Sequence, residues 1–177
     1  PTGTVDVRFV DGEPHYTIHE DVAWDFLAPS PVMLGKAESA DAFYFGTLSQ
    51  RNPRSRAALR QLLSVCPEKT LRFLDVNIRP PHFSRSILVE SLELANAIKL
   101  NEHELAQIGE MLGLPSEQDA ALRLLAENHQ LRLVALTMGA CGSSLWTEGR
   151  IFRHRGFPVS SVHPVGAGDS FAAALLT

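Results

Sequence analysis

The sequence predicts an α/β domain with a mostly parallel sheet between layers of helices, and three observations predict it. Short apolar runs alternate with stretches of helical periodicity from Asp41 to Thr137, the pattern of βαβ units. Polar and glycine residues gather where four of those runs end. Near the C-terminus, Gly166-Ala167-Gly168-Asp169 joins a β-branched run, Val159 to Val162, to the Ala/Leu-rich run Ala172 to Leu176.

Taken in order, Thr4 to Val10 alternates apolar and polar residues and His15 to Ile18 is a second extended run. Asp11-Gly12 between them is a two-residue hairpin signal. Trp24, Phe26 and Leu27 precede a Pro-rich break at Pro29-Ser30-Pro31. Ala42 to Phe45 reads as a buried strand ending at Gly46-Thr47. Residues 55–66 then set Leu59, Leu62, Leu63 and Cys66 at helical spacing. Arg72 to Val76 is the next strand, followed by a helix over 84–95 with Ser84 as its cap. Ala97 to Leu100 is a strand, and Leu105, Ile108 and Leu112 mark the helix after it. Another helix begins at Ser116, and Leu133 to Thr137 is the fourth strand of the series. Ser143 to Thr147 and Ile151 to His154 around Glu148-Gly149 read as a hairpin. Right-handed crossovers would bring the strand C-termini to one edge, where α/β sheets bind ligands.

The polar residues at that edge are chemically suggestive. Gly46-Thr-Leu-Ser-Gln50-Arg51 follows the first strand, and Asp75-x-Asn77-x-Arg79 ends the second, with three side chains expected on one side. Arg79 offers a planar fork for hydroxyls or phosphate, although a buried Asp–Arg tie explains the same residues. Asn101-x-x-Glu104 fits a helix capping box and equally a rigid mount for a carboxylate. Thr137-x-Gly139-Ala140-x-Gly142 lets the chain turn sharply beside a flat ligand, or simply turn between strands. In Gly166-Ala167-Gly168-Asp169, glycines free the backbone amides to face inward and the following helix aims its positive end there, attracting an anion. Asp169 could take a proton from an attacking hydroxyl, or merely cap the helix.

Composition excludes several classes. At 177 residues, 45% of them hydrophobic, the chain fits one domain. A net charge of −4 without a basic block argues against nucleic acid, and no apolar run approaches the ~20 residues of a membrane span. Cys66 and Cys141 lack ligand spacing and read as reduced thiols of a cytoplasmic protein. Phe171 occupies the position a dinucleotide fingerprint reserves for Gly or Ala, and no Lys follows the glycines as in a P-loop.

Gly166-Ala-Gly-Asp-Ser-Phe171 closely resembles the C-terminal signature of the ribokinase-like (PfkB) carbohydrate kinases, and Glu20-Asp-Val-Ala-Trp-Asp25 is most similar to their fructokinase branch. The resemblance implies a three-layer α/β/α ribokinase-like domain over 1–177. Its hairpin within residues 1–30 would contribute to a small β lid near the sugar. It also implies ATP-dependent phosphorylation of a primary sugar hydroxyl. Asp169 would be the base, with Gly166, Ala167 and Gly168 forming the anion hole. Asn101, Thr137, Gly139, Ala140, Gly142 and Gly168 would hold ATP, and Glu104 would hold magnesium through water. Gly46, Gln50, Arg51, Asn77 and Arg79 would face the sugar. His163-Pro164 replaces the Asp-Thr of most members, which leaves a monovalent cation (potassium) site open. Relatives often dimerise through the lid, which leaves the oligomeric state open, with a homodimer through that hairpin as one reading. Alternatives are a kinase for ketodeoxygluconate or a nucleoside, or a non-catalytic sugar- or nucleotide-binding regulator on the same fold. The chain starts at Pro1 without Met and stops at Thr177 about two turns into an apolar helix. The expectation is therefore an incomplete piece of a longer polypeptide, inactive alone.

Overall fold

Short, mostly apolar runs become the strands of one sheet. The computed structural model describes residues 1–10, 13–158 and 166–177. The Asp11-Gly12 turn, the Val159 to Val162 strand and His163-Pro164 lie outside the described residues. Strands β3 (Ala42–Gly46), β4 (Leu71–Asp75), β5 (Ala97–Asn101) and β6 (Leu133–Thr137) pair in that order, all parallel. The register sets Gly46 beside Asp75, Asp75 beside Lys99, and Asn101 beside Thr137. Their C-terminal ends therefore share one rim. The sheet then continues antiparallel through β7 (Ser143–Thr147) and β8 (Arg150–His154). Glu148 and Gly149 turn between them with φ of 50° and 73°, both in the left-handed region a tight hairpin needs.

Both faces of the sheet carry helices, one of them only in part, since Tyr44 and Phe152 on it are 45% and 54% exposed. Phe73 and Leu74 are neighbours in β4, point to opposite faces, and are each 0% exposed. On the Leu74 side lie α2 (Pro53–Ser64), α3 (Arg85–Leu94), α4 (Glu102–Leu112) and α5 (Gln118–Asn128). They bury Leu59, Leu88, Leu92, Ile108, Leu122 and Leu125 against Ile98, Leu100, Val134 and Leu136. On the Phe73 side, α6 (Ala167–Leu175) sets Ala172 against Phe73 and Ala97. This is a three-layer domain whose sheet is parallel at its centre.

Helix starts depart from the sequence reading in a consistent way. The Pro-rich break at 29–31 opens a short helix, α1 (Pro31–Ala37), and α2 begins at Pro53 rather than residue 55. In each, Pro occupies the first turn, where its missing N–H costs nothing, and a polar residue caps it. The Ser30 hydroxyl accepts from Met33 N at 3.2 Å, and Asn52 Oδ1 accepts from Arg54 N at 2.9 Å. The helix expected from Ser116 starts at Gln118, capped by Glu117. Ser84 caps α3 as expected, accepting from Ile87 N at 3.3 Å.

Strands β1 (Val5–Val10) and β2 (Glu13–Ile18) form a separate antiparallel ribbon, with Val5 opposite Ile18 and Val7 opposite Tyr16. Its base is tied down by Ala23 N donating to Pro1 O at 2.9 Å and by Trp24 packed over Gly3. Beyond it, Ser55 Oγ donates to Trp24 O at 2.8 Å and accepts from Leu27 N at 3.0 Å, fixing this segment to α2. Among the described residues no helix is long and apolar enough to cross a membrane.

Candidate active site

A charge inside an apolar strand must find a partner, because an unpaired buried ion is very costly. Lys99 sits between Ile98 and Leu100 in β5, and its side chain is 8% exposed. Its Nζ lies 3.0 and 3.2 Å from the two oxygens of Asp75, at the end of β4. Asp75 also accepts from the Tyr44 hydroxyl at 3.0 Å. Burial pushes the Tyr44 phenol well above its ordinary pKa, and the charges of Asp75 and then Asp169 add to the rise.

Past Asp75 the chain leaves the sheet. Asn77 adopts φ of 42°, so the expected alternation of Asp75, Asn77 and Arg79 along a continuing strand does not occur. Asp75 is buried in its pair with Lys99, whereas Asn77 and Arg79 are exposed. The alternative of an Asp–Arg tie gives way to an Asp–Lys tie. The turn is held from α4: Glu104 Oε1 accepts from Ile78 N at 3.0 Å. Its Oε2 accepts from Asn101 N at 2.8 Å, while Asn101 Oδ1 accepts from Glu104 N at 2.9 Å. Asn101 and Glu104 therefore form a reciprocal capping box at the cleft.

Helix α6 supplies the opposite wall. Gly166 precedes it with φ of 83°, and the first intrahelical bond runs from Ser170 N to Gly166 O at 2.9 Å. The amides of Ala167, Gly168 and Asp169 stand ahead of that bond, at the positive end of the helix. A Cβ on Gly168 would lie 3.0 Å from Lys99 Nζ, so the glycine is where ammonium and helix terminus meet. The Asp169 side chain is exposed and enters no ion pair among the described residues.

These elements enclose a cleft of about 400 Å³. It brings together Asn77, Arg79, Asn101, Glu104, Gly166, Gly168 and Asp169, seven residues singled out from the sequence. Ala167 is exposed in the first turn of α6. Thr137, Gly139, Ala140 and Gly142 are one strand along the same rim. There Gly142 has φ of 92°, and a Cβ on it would collide with His154 O. Gly46, Gln50 and Arg51 are not brought to the cleft. Gly46 ends β3, where a Cβ would lie 3.3 Å from Asp75 O, a tight fit. Gln50 is fully buried, its Nε2 donating to Gly46 O and Ser91 Oγ at 2.8 Å each. Arg51 donates from Nε and Nη2 to Asp25, at 2.8 and 2.7 Å, and from Nη2 to His19 O. In both, a polar side chain just past a strand end folds inward to satisfy backbone and buried charge.

Conversely, the sequence reading passed over Lys99, Tyr44 and Tyr16. Lys99 had a readable signal, a lone cation in the apolar run Ala97 to Leu100. Tyr16 reaches the cleft from the ribbon, a tertiary placement that no local pattern announces.

The model of the pfkB family of carbohydrate kinases matches residues 12–177. The chain belongs to the pfkB carbohydrate kinase family. A fructokinase of Solanum tuberosum is 30% identical over 169 residues, covering 94% of this chain and 50% of that protein. The crystal structure of a fructokinase with bound ATP from Xylella fastidiosa superposes with a TM-score of 0.83 at 20% identity, over 99% of this chain and 55% of that one. An uncharacterized sugar kinase from Pyrococcus horikoshii gives 0.77 at 25% identity, over 99% and 55%. The fold is ribokinase-like, and the chain spans about half the length of the pfkB relatives it matches.

Proposed function

We propose that this domain carries the phosphoryl-transfer half of an ATP-dependent sugar kinase, acting on a primary hydroxyl in the manner of a fructokinase. The observation that carries the reading is Asp169: an exposed carboxylate at the strand-end rim, beside three amides at the start of α6. Asp169 would accept the proton of the attacking hydroxyl, leaving its oxygen free to attack phosphorus in line. The amides of Ala167, Gly168 and Asp169 would stabilise the negative charge that grows on the phosphoryl oxygens. The nucleotide would lie along the Thr137 to Gly142 turn with its phosphates toward Asn101, and the sugar toward Asn77 and Arg79.

The charges in the cleft bear on magnesium. Among the described residues, Asp75, Glu104 and Asp169 face Lys99 and Arg79 in the cleft, so a polyphosphate would need additional positive charge to enter. Among the described residues no cluster of three or more His, Cys, Asp or Glu could cage a metal. Magnesium is commonly held by substrate phosphates, waters and one or two carboxylates, and this donor set fits that mode. Glu104 would take such a water, since each of its oxygens uses one lone pair on a backbone N–H and keeps another. When bound, the ion would neutralise charge on the phosphates.

A coupled ADP-release assay over a panel of ketohexoses, aldohexoses, ketodeoxygluconate and nucleosides tests the reading on the full-length polypeptide. The expected result is sugar-dependent turnover, with Asp169→Asn lowering kcat by at least ~10²-fold. Near-normal turnover by that variant would end the assignment. The 177 residues alone should show no sugar-dependent ATP hydrolysis. Two free cysteines, half-buried Cys66 and exposed Cys141, suit a reducing cytoplasm. The exposed apolar side of the ribbon, with Val5, Val7 and Tyr16, suits a homodimer contact.

A further inference from the structure

Resting on that kinase reading, we propose that Lys99 is a further catalytic residue, its ammonium donating to the phosphoryl group in transfer while Asp75 holds it in place. A buried ion pair is poor evidence of stability: an apolar pair of similar volume often serves a core as well or better. Lys99 is flanked by Ala97, Ile98 and Leu100, each 0% exposed, so its surroundings in β5 are apolar. The position of the charge, rather than its contribution to folding, is what needs explaining.

Geometry supplies the explanation. An ammonium has three N–H donors, and here both contacts go to the single carboxylate of Asp75. That carboxylate also accepts from Tyr44, so it is fixed from two sides. Beyond Asp75, the ammonium reaches the first turn of α6, 3.0 Å from where a Gly168 side chain would begin. Lys99 and Asp75 both line the cleft although almost no solvent touches either. The charge thus stands where a phosphoryl oxygen would meet the Gly168 amide.

In the reaction the sugar oxygen forms the new bond to phosphorus as the bond from phosphorus to the bridging oxygen of ATP breaks. The bonding pair departs with ADP, and the hydroxyl proton passes to Asp169. Lys99 keeps all its protons and contributes charge.

The test uses the full-length polypeptide, in which wild-type sugar-dependent turnover is measured first. Lys99→Met should lower kcat ~10²–10³-fold, the usual effect of losing one donor to a transition-state oxyanion. It should also weaken a non-hydrolysable ATP analogue while leaving ADP affinity within about threefold, since ADP lacks the group Lys99 would touch. Because Lys99→Met strands Asp75, the double variant Asp75→Asn/Lys99→Met removes both charges and serves as the folding control, checked by thermal unfolding. It should remain as slow as Lys99→Met, and Lys99→Arg should recover part of the loss. A double variant that returns to wild-type kcat, or one that weakens ADP and analogue equally, would make the pair purely structural. Absence of turnover in the wild type would instead overturn the kinase reading, and this proposal with it.

Discussion

Arg51 and Asp25 bury opposite charges against each other, with side chains 8% and 2% exposed. The Arg51 hydrogen bonds hold the Asp25 carboxyl below the usual carboxylate range, against an upward pull from burial. A depressed folded-state pKa stabilises the fold above the unfolded value, about pH 4, and that contribution is lost as pH falls through the folded value. Arg51→Met should therefore destabilise the protein by ~3–5 kcal/mol near neutrality, as expected when a buried ion loses its partner. Urea unfolding should show the gap to wild type shrinking in acid, because Asp25 then takes up a proton. A gap independent of pH would show that Arg51 acts through packing alone. Tyr44 carries the opposite sign. Its raised pKa favours the folded state while the phenol is protonated, and this stabilisation is lost as pH rises past about 10. Ultraviolet absorbance should find one of the two tyrosines ionising late, and Tyr44→Phe should abolish that late component. At this scale the sequence was a partial guide. Asp169, Asn101 and Glu104 could be read because local spacing set their positions. Gln50 and Arg51 lie outside the cleft because residues distant in sequence, Ser91 and Asp25, hold their side chains.

Elements were more legible than their ends. The apolar runs of β3 to β6 and the helical periodicity of α2 to α5 carried the order of the sheet, since each stripe must be buried against the next element. Boundaries slip at helix starts: Pro31, in the Pro-rich break, is the first residue of α1, and α2 begins two residues before its apolar periodicity suggests, at Pro53. The α4 start offers a separable measurement. Glu104→Ala removes acceptors for Asn101 N and Ile78 N together, and should cost more than the ~1 kcal/mol typical of one lost cap. Glu104→Gln keeps one oxygen and should recover part of that stability. Thermal unfolding of the two variants decides whether the carboxylate also fixes the turn after β4. Gly142→Ala should unfasten the edge hairpin, because its Cβ meets His154 O and its φ of 92° is strained for alanine.

Across the whole molecule, the parallel strands set one rim, and the domain's polar chemistry follows from that placement. The three-layer order was legible because each layer has its own stripe, Leu74 facing one helical layer and Phe73 the other. What the sequence concealed is how the β1–β2 ribbon meets the rest, since cross-chain contacts leave no periodic trace. The ribbon consists of two strands, stands apart from the six-stranded sheet, and carries Tyr16 to the cleft while leaving that residue 52% exposed. Two strands alone are marginal in water, whereas β5 lies between two parallel neighbours in the sheet. Hydrogen–deuterium exchange should run fastest along the ribbon and slowest in β5. The side of the cleft that Tyr16 supplies is then the softest part of the fold, while the strand that carries Lys99 is held from both sides and stays rigid.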